Sequence, residues 1–122
     1  NKLNRLLQGI TIDYVLIENQ ISKIASTMKT IQGMITQYFV MRDIINIHYI
    51  SSSNKLKMFI VPKSITTYTE RKNLGIQYTQ TELIGTQDNK WLLQFEDNKK
   101  KDDLADSFLQ GLWYINMKLR TT

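Results

Sequence analysis

The sequence has 122 residues, and 16 Lys and Arg against 11 Asp and Glu give a formal net charge of +5. That length suits one domain spanning residues 1–122, and 42% hydrophobic with 22% charged residues is neither a disordered nor a fibrous composition. There is no Cys, which excludes a disulfide framework, thiolate-bound zinc and thiol catalysis and fits a reducing intracellular compartment. No apolar run approaches the roughly 18 residues of a membrane span, and the first residues lack the charged-then-apolar layout of a secretory signal. The chain opens on Asn1, as a processed protein or a piece of a longer one would.

Leu3, Leu6 and Leu7 fall at helical spacing ahead of Gly9, which predicts a short helix over Leu3–Gln8. Ile10–Ile17 is rich in β-branched residues and ends in an unbroken apolar run. It reads as a strand buried on both faces, of the kind found in a sheet covered by helices. Glu18-Asn19-Gln20 then stand at the strand's carboxyl end, where open α/β sheets place ligands. From Ser22 to Val40 the apolar residues Ile24, Met28, Ile31, Ile35 and Tyr38 make one helical stripe. Ile44–Ile50 is a second strand. A strand, helix and strand within about forty residues form a right-handed crossover, so the two strands should run parallel.

The stretch Lys55–Lys72 holds the single proline, Pro62, and five cations, Lys55, Lys57, Lys63, Arg71 and Lys72, with Tyr68 among them. It reads as an irregular basic connection. Leu74–Leu83 is a helix candidate weakened by Gly75, and Asp88–Phe95 a short helix capped by Asp88. Lys101–Leu119 is a helix whose apolar stripe is Ala105, Phe108, Leu109, Leu112, Ile115 and Leu119.

Two constellations carry chemistry. Glu18 ends a buried strand, while Asp102, Asp103 and Asp106 open the last helix, Asp103 and Asp106 at i, i+3. If that helix crosses the sheet near Glu18, the acids converge, and hard oxygen ligands of this kind suit Mg²⁺ or Mn²⁺. Two such ions activate water for phosphodiester hydrolysis. The plainer reading is that acids in a first helical turn complement the macrodipole; for Asp102 it is preferred. The second constellation is basic: Lys55–Lys72 and Lys99–Lys101 favour a polyanionic partner. Lys63, Arg71, Lys72 and Lys101 would contact phosphate, with Tyr68 stacking or hydrogen-bonding. His48, midway along a strand, is read as a sheet residue. The five glycines form no phosphate-binding loop, so no nucleotide cofactor is expected.

Two stretches together resemble a known family. Asp13-Tyr14-Val15-Leu16-Ile17-Glu18-Asn19-Gln20, followed by a helix with Met28-Lys29, Gly33 and Tyr38-Phe39, is similar to the second acidic motif of poxvirus-type (RuvC-like) viral Holliday junction resolvases. Lys99-Lys100-Lys101-Asp102-Asp103-Leu104-Ala105-Asp106-Ser107-Phe108 resembles that family's last motif, Lys-x-Asp-Asp-x-Ala-Asp-Ser-Phe. The resemblance implies an α/β, RNase H-like mixed sheet flanked by helices. The family's first strands, with its first catalytic Asp, have no counterpart in this sequence; the resemblance would place them upstream of Asn1 or on another chain, or make this a degenerate copy. It also implies Mg²⁺-dependent cleavage of four-way DNA junctions by a homodimer, at the viral replication site if the source is viral. Carried over, Glu18, Asp103 and Asp106 would be the catalytic metal ligands, with Asp102 assisting, and Arg71 and Lys72 the phosphate contacts. Lacking the first Asp, this chain on its own is expected to cut weakly or not at all. The alternative is a non-catalytic DNA-binding or assembly module that keeps the fold without the active site.

Overall fold

Among residues 1–20, 26–86 and 88–120, which the computed structural model describes, contacts fall into two units, Asn1–Ser51 and Ser52–Thr122. The first opens with helix α1 (Lys2–Leu6), whose N-cap Asn1 accepts a hydrogen bond from the Leu3 amide at 2.9 Å. Gly9 then turns the chain with φ +77°, a conformation that suits a residue without Cβ. Strand β1 (Val15–Glu18) pairs in parallel with β2 (Ile47–Ile50), in a register from Val15 opposite Ile47 to Glu18 opposite Ile50. Helix α2 (Ser26–Val40) lies between them in the chain, and the parallel pairing expected from the sequence is found.

The face that α2 buries is not the expected stripe. Gln32 and Phe39 are its buried residues, whereas Met28 and Ile31 are exposed; Ser22 and Ile24 lie outside the described residues. Gln32 has a polar task that apolar periodicity does not register. Its Oε1 accepts from the Gln20 amide at 2.8 Å, satisfying a backbone donor just past the end of β1. At the far end of α2, the Arg42 guanidinium sits 3.5 Å from the centre of the Tyr38 ring. Arg42 and Tyr38 both donate to Asn4 Oδ1, tying α1 to α2.

An RNase H-like mixed sheet flanked by helices is not the architecture. The described residues are mostly helical, with two parallel strands in one small sheet. The apolar run read as a strand buried on both faces is extended only over Val15–Glu18, and Ile10 and Tyr14 upstream are exposed. With a single ladder, each strand has one hydrogen-bonded neighbour, and the β-branched spelling of Ile10–Ile17 overstated the sheet.

The second unit is helical. A 3-10 helix (Ser52–Leu56) leads through irregular chain to α3 (Tyr68–Ile84), α4 (Asn89–Glu96) and α5 (Lys101–Tyr114), which ends in one π-helical turn, Ile115–Leu119. Helix α3 starts six residues earlier than its apolar pattern suggested, because Thr67-Tyr68-Thr69-Glu70 is a capping box. Thr67 Oγ1 accepts from the Glu70 amide at 3.1 Å, and Glu70 Oε1 accepts from the Thr67 amide at 3.2 Å and its hydroxyl at 2.7 Å. These bonds from Thr67 hold the Glu70 carboxyl below its usual pKa. Asp88 caps α4 as expected, accepting from the Lys90 amide at 2.9 Å.

The core of this unit joins Leu83 of α3, Phe95 of α4 and Ala105 of α5, with Ile76, Leu92 and Phe108 packed around them. Leu109 is 0% exposed. Of the expected α5 stripe, Ala105 and Leu109 are buried, but Ile115 and Leu119 are exposed where the helix widens. Gly75 sits in mid-α3, where a Cβ would meet Leu109 Cδ1 at 3.7 Å, an ordinary contact. Replacing glycine inside a helix removes an entropic cost of about 0.5–1 kcal/mol. Gly75→Ala is therefore expected to raise the melting midpoint by several degrees, a gain that calorimetry would read directly.

Candidate nucleic-acid interface

The capping box fixes where Tyr68, Arg71 and Lys72 stand. All three lie in the first turns of a regular helix and not in a loop. They line one cleft of about 300 Å³ together with Ser52, Ser53, Lys55 and Leu56 of the 3-10 helix and Asp102 and Asp106 of α5. Asn54 and Leu56 are buried, so the short 3-10 helix is anchored by two side chains while Lys55 between them faces the cleft. Three cations, two carboxylates, two hydroxyls and a phenol therefore share one concavity.

Two ion pairs organise it. Lys72 Nζ lies 3.1 Å from Asp102 Oδ2, and Lys55 Nζ lies 3.0 Å from Asp106 Oδ1. The Lys72 ammonium, by its hydrogen bond to the carboxylate, holds the Asp102 carboxyl below the usual value. Asp102 in turn raises Lys72, with Tyr68 and Asp103 adding to the same effect through space. All four side chains are partly exposed, so the pairs give little net stability. Their effect is positional: each acid holds the end of a flexible lysine at a defined place in the cleft.

Sequence spacing selected Asp103 with Asp106, but the acids that share the cleft are Asp102 and Asp106. The helix explains this. At about 100° per residue, Asp102 falls about 20° and Asp106 about 60° from the fully buried Leu109, whereas Asp103 falls about 120° away. The first two lie on the arc that α5 turns toward its neighbours; Asp103 is exposed. Asp102 does stand in the first turn of α5, as the macrodipole reading expected, and after the Lys72 ammonium the backbone amides of Asp102 and Asp103 also help to hold its carboxyl down.

The other expected site residues stand elsewhere. Lys63 is exposed in the irregular chain before α3 and does not line the cleft. Lys101 donates from Nζ to the Asn98 carbonyl at 3.0 Å. Glu18 belongs to the first unit, half-buried at the end of β1. Near it, Gln20 Nε2 donates to the Glu18 carbonyl at 3.1 Å and Lys29 Nζ to the Gln20 carbonyl at 3.3 Å. Lys55 was absent from the expected contacts, although it opens the basic stretch. The 3-10 turn Ser52–Leu56 aims it, and no apolar periodicity marks that turn in the sequence.

The donor set does not match the Mg²⁺ site implied by the motifs. Two carboxylates share the cleft, each is engaged by an ammonium, and no group of three or more His, Asp or Glu among the described residues is placed to hold one ion. No described helix is long and apolar enough to cross a membrane.

No protein-family model matches the chain, and no solved structure matches it. A protein of Acanthamoeba polyphaga mimivirus whose name is simply "uncharacterized protein" is 36% identical over 141 aligned residues, an alignment that takes in 100% of this chain and 33% of the relative. The chain thus spans about a third of the length of the curated relative it matches.

Proposed function

We propose that this chain is a DNA-contacting module that grips the sugar-phosphate backbone in the cleft between the 3-10 helix, α3 and α5. The observation that carries the reading is the convergence of Lys55, Tyr68, Arg71 and Lys72 on one concave surface from two separate elements. Arg71 offers a planar fork that can bind phosphate through two hydrogen bonds, and lysine a mobile point charge. Ser52 and Ser53 add hydroxyl donors of the kind that position phosphate without reading sequence. The exposed Tyr68 ring is available for stacking on a base or sugar. Arg71 and Lys72 also stand near the positive end of the α3 dipole, which reinforces an anionic partner. The net +5 charge favours the same class over long range.

Binding of a labelled four-way junction and a linear duplex, titrated with salt by fluorescence anisotropy, tests the proposal. Affinity for DNA is expected to fall on a log–log salt plot with a slope of roughly −2 to −4, for three to four phosphates neutralised. A flat response, or no binding at low salt, would refute it.

A second reading is the Mg²⁺-dependent junction nuclease implied by the resolvase-like motifs. It draws support from Asp102 and Asp106 lining the same cleft as the cations. The described residues bring no three such acids together, so this reading rests on the motifs and on the acid pair in the cleft alone. Asp103→Asn with Asp106→Asn would then abolish junction cutting by the complete protein while sparing junction binding. Cutting that survives both changes removes this reading and leaves the first intact.

A further inference from the structure

We infer that Asp102 and Asp106 stand in for two successive phosphates of a bound strand, so that DNA enters the cleft by displacing the protein's own anions from Lys72 and Lys55. The inference rests on the DNA-contact reading above and adds a specificity device to it.

The spacing is the first argument. Residues at i and i+4 on one helix place their Cβ atoms about 5–6 Å apart, of the same order as the step between neighbouring phosphates on one strand. Each carboxylate presents two anionic oxygens, as a phosphodiester does, and each already has an ammonium at salt-bridge distance, 3.1 Å for Asp102 and 3.0 Å for Asp106. The paired lysines come from two different elements, α3 and the 3-10 helix, so they are not held at this separation by a shared backbone. The acid pair sets it.

Partial exposure is the second argument. A pair buried in the core would be too costly to open, because the abandoned charge would lie in low dielectric. Here all four side chains reach solvent, so a displaced carboxylate is rehydrated and exchange is feasible. The third is the remaining lining: Arg71, Ser52 and the exposed Tyr68 ring add contacts that the two acids alone do not offer, which tips the exchange toward a strand. An isolated anion meets only one site of the two. A strand with phosphates one step apart can displace both acids together, and the cleft thereby prefers a polymer of phosphates to scattered negative charge.

The test compares two charge-matched double variants of the 122-residue chain in EDTA, with a fluorescein-labelled DNA duplex as probe. Asp102→Asn with Asp106→Asn removes the stand-ins. Glu82→Gln with Asp97→Asn removes the same charge from residues that do not line the cleft. The first pair is expected to bind roughly tenfold more tightly than the unmodified chain, with a salt slope steeper by about 1–2. The second is expected to gain no more than about threefold. Equal gains in the two variants would reduce the effect to general charge and overturn the inference. Weaker binding by Asp102→Asn with Asp106→Asn would overturn it too, provided its melting midpoint matches that of the unmodified chain. If that variant melts early, the single change Asp102→Asn against Asp97→Asn makes the same comparison. Should the unmodified chain and every variant fail to bind DNA, it is the DNA-contact reading itself that falls.

Discussion

Leu109→Ala is expected to cost the second unit about 2–5 kcal/mol, the range for removing a buried leucine and leaving a cavity. Leu109 is 0% exposed and lies against mid-α3 at Gly75, where no side chain stands to move into the space left behind. Ala105, 1% exposed, is one turn away and too small to fill it. A unit of about 70 residues has roughly 4–10 kcal/mol of total stability, so the change removes on the order of half of it. Urea unfolding followed by far-ultraviolet circular dichroism would show the midpoint falling sharply, and thermal unfolding a drop of at least about 10 °C. Leu109→Ile, which keeps the volume, should cost under about 1.5 kcal/mol. A loss below about 1 kcal/mol in the alanine variant would mean that the seam between α3 and α5 is not what holds this unit together.

The second large effect concerns binding. Replacing Lys55, Arg71 and Lys72 together by Gln keeps part of each aliphatic stem but leaves Asp102 and Asp106 as the only charges lining the cleft. A basic surface becomes an acidic one. DNA affinity near 0.15 M salt is expected to fall roughly ten- to hundredfold, with the salt slope shallower by about 2–3. Changing Lys2, Lys90 and Lys118 to Gln removes the same charge away from the cleft and should weaken binding several-fold less. If both triples lose affinity equally, the interaction is diffuse and the cleft is not its seat.

Much of the local structure was legible from residue spelling. The parallel pairing, the Asp88 cap and the Ala105–Leu109 stripe each follow from short-range rules, and the structure has them. What misled was context. β-branched residues over Ile10–Ile17 promised a buried strand, but a strand's burial is decided by what packs on it, and Ile10 is 58% exposed. Gly75 argued against a helix through propensity alone, while the capping box eight and five residues before it, at Thr67 and Glu70, outweighed that cost. Tyr68, Arg71 and Lys72 were legible as a cationic group because they are near in sequence. Lys55 was not, since it joins them only through the turn that buries Asn54 and Leu56. The choice between Asp103 and Asp102 as the partner of Asp106 depended on which arc of α5 faces inward, a tertiary fact that i, i+3 spacing leaves open.

Helix α5 carries Asp106 and Leu109 within a single turn. A rod that short transmits any rocking of its hydrophobic side directly to the charges beside it. Warming that loosens the leucine's seat must therefore scramble the spacing of the carboxylates in the same step, with no stage at which a melted interior still displays an ordered set of charges to a partner.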